Sequence, residues 1–210
     1  MPQQIRTLDE FRELLASTND NLSLVVKSHY AIEGKLHELL DEQLPHSDRM
    51  ELHRVTFLLK VDFLIAMGVI YNRFRHLFEL VNSVRNRFAH DPYSSYSEDD
   101  ATKVKNAVRS IDKNYPLNGD ATAILKVLFH VVFDYSARRH ERVVIGKLRD
   151  EALHEMMEDR SWQPPHPSGI ELPPITDEDL KSVHDEMEPE IKRRVGEKLS
   201  TAYPHIKPKE

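Results

Sequence analysis

The segment VNSVRNRFAHDP, residues 81–92, brings Arg85, Asn86 and His90 together at the end of an apolar-periodic stretch. These residue types suit the cleavage of RNA through its own neighbouring 2′-hydroxyl. That reaction needs a proton removed from the hydroxyl, a proton delivered to the leaving 5′-oxygen, and positive charge on the phosphate as negative charge builds there. Histidine titrates at about 6.5 and so exchanges protons near neutral pH. A helix C-terminus favours its protonated form. Arginine supplies a permanent charge on a planar fork that matches phosphate oxygens. No metal and no other cofactor enters this scheme.

The spacing constrains the group. Arg85 and His90 are separated by about 140° on an ideal helix, whereas Asn86 and His90 stand at i, i+4 and face the same way. Arg85 falls at the edge of the apolar stripe, where partial burial is expected. Arg73, Arg75, Arg85 and Arg87 gather on one stretch with only Glu79 against them, and Arg73 and Arg87 are candidates to hold an RNA backbone. Helix C-termini also attract Arg and His for electrostatic reasons alone, so spacing leaves an ordinary helix end as an open alternative.

A second group lies upstream. His29 and Glu33 fall inside an apolar stripe, between Val26 and Leu36. Ionisable residues on a buried face must be paired or must line a cavity, so the two are candidates to line the same cleft. With His37 they have metal-ligand types, but one helix rarely supplies a whole site and the sequence holds no second HxxxH or ExxH cluster; no metal is expected.

The elements that must position these residues are helices, for no segment shows sustained period-two alternation. A short helix starts at a capping box formed by Thr7 and Glu10. A second runs from about Asp20 to Leu44 and stops at Pro45, with Leu22, Val25, Val26, Ile32, Leu36, Leu40 and Leu44 inward. A third is expected from the Ser47 cap to Gly68; its FLLKVDFLIAM is apolar almost all round and predicts the buried centre of a bundle. The fourth, about Asn72 to His90, carries the motif and ends there because Asp91 precedes Pro92. Ser97 caps a fifth helix reaching about Ile111. A sixth begins near Asp120 and continues to about Asp159, with a bend suggested at SARRHER. Residues 161–175 hold five of the twelve prolines and read as a linker. Beyond it, one helix capped at Thr176 and another starting with Pro189 are predicted.

The resulting division is a helical bundle over 1–160, a Pro-rich linker over 161–175 and a helical extension over 176–210. The extension is expected to pack on the main domain or on a partner. Absence of cysteine excludes disulfides and thiolate chemistry. No apolar run approaches the ~18 residues of a membrane span and no leader is seen at the N-terminus, which together indicate a soluble, cytoplasmic chain without membrane contact. A net charge of −6 and a pI near 6.1 argue against a general polyanion binder, and no helix-turn-helix pattern stands out for DNA.

At Arg85, Asn86, Ala89, His90 and Asp91 the sequence resembles the HEPN superfamily, whose signature is an arginine, a polar residue and then a histidine along one helix. The preceding FLLKVDFLIAMGVI is similar to the mannitol-operon-repressor branch of that fold. The likeness covers roughly residues 20 to 135. It implies an all-α, HEPN-like antiparallel bundle that forms a homodimer with two motif helices facing each other. In active members the composite cleft is a metal-independent ribonuclease, a toxin or defence effector neutralised by a protein partner. On this chain the roles fall to His90 for proton transfer, Arg85 for the scissile phosphate and Asn86 for orientation. In the repressor branch the protein is a non-catalytic regulator acting through protein–protein binding, which is the alternative reading. The Pro-linked C-terminal extension departs from the family pattern.

Overall fold

The computed structural model describes residues 5–91, 93–158 and 177–206, the last stretch without the side chains of 177–184 and 186. It is an all-α bundle, with no strand among the described residues. The helices are α1 (Leu8–Ser17), α2 (Asn21–Gln43), α3 (Phe57–Ala66), α4 (Arg75–His90), α5 (Glu98–Ile111), α6 (Ala121–Glu158) and α7 (Asp177–Ala202). The contacts separate two compact units, Met1–Val143 and Val144–Glu210.

In the first unit the caps foreseen at Thr7 and Ser97 are formed, and the one foreseen at Ser47 is not. Thr7 and Glu10 make a reciprocal capping box on α1, Asp20 accepts the Ser23 N–H at the start of α2, and Ser97 and Asp100 make a second box on α5. Asp120 accepts the Ala123 N–H at the start of α6. Phe11, Leu36, Val61, Phe78, Phe88, Phe129 and Phe133 are among the core residues, and the Phe11 and Phe133 rings stack at 4.1 Å. The α2, α3 and α4 helices pack on one another.

The segment before α3 departs from the expectation of a helix starting at Ser47. Two single 3₁₀ turns, Ser47–Arg49 and Leu52–Arg54, occupy it, and α3 starts only at Phe57. Residues 47–56 offer no apolar i, i+4 stripe to hold a helix on the core; Leu52 alone is buried there, and Thr56 is extended. Nor is α3 buried all round. Phe57, Lys60, Val61 and Leu64 face inward, while Leu59, Phe63 and Met67 are exposed at i, i+4, i+8. It stops where Gly68 takes φ +71, a conformation open to glycine, and the Val69 N–H returns to the Leu64 carbonyl. Leu22 and Val26, expected inside, are exposed on α2.

The second unit has its own core, made by Val144, Leu148, Ala152 and Met156 of α6 with Met187, Ile191, Val195 and Leu199 of α7. The division therefore falls inside α6 rather than at residue 160, because the last turns of that helix bury their apolar face against α7. SARRHER lies within continuous helix. The two C-terminal helices expected are one, with Pro189 inside α7. Its flanks are held by Met187 and Ile191 in the core and by an Arg149–Glu188 ion pair of 2.6 Å, which offset the lost backbone bond. The Pro-rich linker expected at 161–175 and the Thr176 cap lie outside the described residues.

Candidate functional site

The motif helix α4 is strongly amphipathic. Leu77, Phe78, Val81, Val84 and Phe88 are buried, whereas Arg85, Asn86 and His90 are exposed. Its end is built by Asp91. That residue is extended, its N–H closes the last turn on the Arg87 carbonyl, and its carboxylate accepts the Tyr93 N–H and the Ser94 hydroxyl. His90 is thereby fixed as the last helical residue.

The structure joins Arg85 to Asn86, whose side-chain oxygen accepts from the guanidinium at 3.3 Å. Among the described residues no hydrogen bond links Arg85 with His90, or Asn86 with His90, as the wheel angle anticipates for the first pair. Arg85 is exposed rather than partly buried, and no carboxylate among the described residues neutralises it.

The four arginines separate into two kinds. Arg75 is held by Asp62 at 3.0 Å and by Glu79, and Arg87 by Asp100 at 2.8 Å. Arg73 and Arg85 have no ion-pair partner among the described residues. Arg73 lies in a 3₁₀ turn, Asn72–Phe74, just before α4, with its guanidinium over the Tyr71 and Phe74 rings. The expectation that Arg87 is free to hold RNA meets a competing role, since Asp100 ties it to the N-terminus of α5.

The group foreseen on α2 feels the Arg85 charge. His29 is buried with its ring against Phe57 at 4.5 Å, its Nδ1 stands 3.8 Å from the Glu33 carboxylate, and its Nε2 is enclosed without a hydrogen-bond partner among the described residues. Burial lowers its pKa to about 4, against the pull of Glu33 and with further lowering from the Arg85 and Lys60 charges. Arg85 and His29 thus share one electrostatic environment. His37 and Asp41 form a separate, more exposed pair at 3.4 Å.

Sequence reasoning missed Lys60. It is 2% exposed on α3, and its ammonium donates to Glu33 at 2.7 Å. Glu33 is therefore the partner of both a buried lysine and a buried histidine. A lone lysine inside FLLKVDFL was the available signal, but its partner lies 27 residues away on another helix. No group of three or more metal-ligating side chains is gathered among the described residues.

The exposed side of α2 beside this group is apolar. Leu22, Val26 and Tyr30 lie at i, i+4, i+8, and the last two are more than half exposed. No helix among the described residues is long and apolar enough to cross a membrane. No protein family, no curated protein and no solved structure matches the chain.

Proposed function

We propose that this chain is a metal-independent endoribonuclease of the HEPN type, a toxin or defence effector that cuts RNA in a cleft completed by a second copy. The observation that carries this reading is Arg85: exposed, unneutralised by any carboxylate among the described residues, and steadied by Asn86 on a helix that ends in an exposed His90. Arg75 and Arg87, by contrast, are each spent on a carboxylate.

In the proposed reaction Arg85 receives the scissile phosphate and Asn86 orients its guanidinium. His90 of one copy takes the proton of the 2′-hydroxyl as its oxygen attacks phosphorus. The bond from phosphorus to the 5′-oxygen breaks, and protonated His90 of the other copy supplies the proton to that oxygen. The products are a 2′,3′-cyclic phosphate and a 5′-hydroxyl. The apolar row Leu22, Val26 and Tyr30 on α2, the neighbour of α4, supports a second copy at this face, since a covered row removes apolar surface from water.

The test is chemical. RNA is expected to be cut to cyclic-phosphate ends, while the same sequence with hydrogen in place of each 2′-hydroxyl stays intact; cutting of the deoxy substrate contradicts the mechanism.

The second reading, a non-catalytic regulator resembling the mannitol-operon-repressor branch, is favoured by the exposed row Leu59, Phe63 and Met67 on α3, which suits a protein partner. It assigns Arg85 and His90 to holding the helix end and the dimer together. Their exposure in one copy weighs against the first of these roles.

A further inference from the structure

Tyr71 stands between α3 and α4 and is 47% exposed. Two guanidinium groups lie over its ring, that of Arg139 at 4.9 Å from the centroid and that of Arg73 at 5.7 Å. Neither has an ion-pair partner among the described residues. Arg139 is anchored instead by backbone oxygens, its Nε donating to Val69 and one terminal nitrogen to Gly68 at 3.5 Å. Carbonyls hold a guanidinium in place without cancelling its charge, and the other terminal nitrogen keeps its donors. The Tyr71 backbone is fixed as well, because its N–H donates to the Tyr135 hydroxyl at 2.9 Å, and the Tyr135 ring stacks on Phe74 at 3.6 Å. An acidic chain thus presents a half-exposed aromatic ring beside two arginines that no carboxylate among the described residues neutralises.

We propose that Tyr71, Arg73 and Arg139 form a binding station for single-stranded RNA, with a base stacked on the exposed part of the Tyr71 ring and its phosphates on the two guanidinium groups. Stacking on an aromatic platform together with arginine charge is the combination that binds single strands without reading sequence. A peptide of acidic residues alone satisfies the charges but brings no flat ring for Tyr71. The station rests on the ribonuclease reading for its purpose. Tyr71 and Arg73 precede the first turn of α4, and Arg85 lies ten residues, or about 15 Å of helix, beyond Arg75 in that turn.

The experiment is fluorescence anisotropy with a labelled oligouridylate in EDTA, in a His90→Ala background so that the probe stays whole. Tyr71→Ala is expected to weaken binding about tenfold and Tyr71→Phe to leave it unchanged, since the backbone N–H anchor survives both. Arg73→Ala, on an exposed side chain, is expected to lower the slope of log affinity against log salt by about 0.7. Equal affinity in wild type and Tyr71→Ala overturns the station, as does binding of a polyglutamate probe as tight as the RNA, which marks a protein partner. No RNA binding at all also overturns it. Cleavage by the otherwise wild-type chain is scored separately, so loss of the station and loss of the nuclease reading are told apart.

Discussion

Arg85 and His90 reach solvent from one helix without touching, so each is open to a substrate and neither is needed to fill the core. His29 on α2 is different. It is buried and neutral, with a folded pKa of about 4 against about 6.5 in an unfolded chain. Below pH 6.5 the unfolded state binds a proton that the folded state refuses. Stability is therefore full above about pH 6.5 and is lost as the pH falls toward 4, by about 3 kcal/mol for this group. His29→Leu is expected to remove that part of the acid sensitivity; urea unfolding of both proteins at pH 7 and pH 4.5 checks it, and equal losses in the two contradict it. His29 and Glu33 were legible because they interrupt an apolar stripe. Lys60 was not, because nothing local pairs a lysine on α3 with a carboxylate on α2.

At the joint between α4 and α5 one side chain serves both helices. The Asp100 carboxylate accepts the Ser97 N–H and hydroxyl and the Arg87 guanidinium, so it caps α5 and fixes the motif helix together. Its pKa lies below the usual carboxylate range through those hydrogen bonds and the Arg87 charge, although burial opposes the shift. Asp100→Ala is expected to cost about 2 kcal/mol, more than the ~1 kcal/mol of Ser97→Ala, because the cap and a charged hydrogen bond go together. Urea titrations with Asp99→Ala as control measure this, and a cost no greater than the control's contradicts it. The Ser97 cap itself was readable, because a serine stands just before the apolar-periodic stretch, whereas the part played by Asp100 was not read. The start of α3 was not, because apolar composition around Phe57–Ala66 carried the expected helix back over turns that lack a stripe. Nor was the continuity of α7, where Pro189 suggests a start and tertiary packing decides otherwise.

For the whole molecule, the all-α class followed from helical periodicity along the chain, while the grouping of the last turns of α6 with α7 depends on contacts that no local pattern carries. The exposed rows on α2 and α3 were hidden for the same reason, since an apolar residue in sequence does not reveal whether its neighbour is its own chain or another. If the α2 row seats a second copy, Val26→Asp leaves the helical content intact, converts a dimer to a monomer in light scattering and lowers cleavage at least tenfold. A wild-type monomer, or a variant dimer of unchanged size, contradicts that assembly. The central claim is tested most directly by incubating wild-type and His90→Ala protein with end-labelled RNA in excess EDTA, with the size of each checked by light scattering. Cleavage by wild type alone, from two assemblies of equal size, is the predicted result. Cleavage that survives in His90→Ala, or a wild type that cuts only when metal is restored, contradicts it.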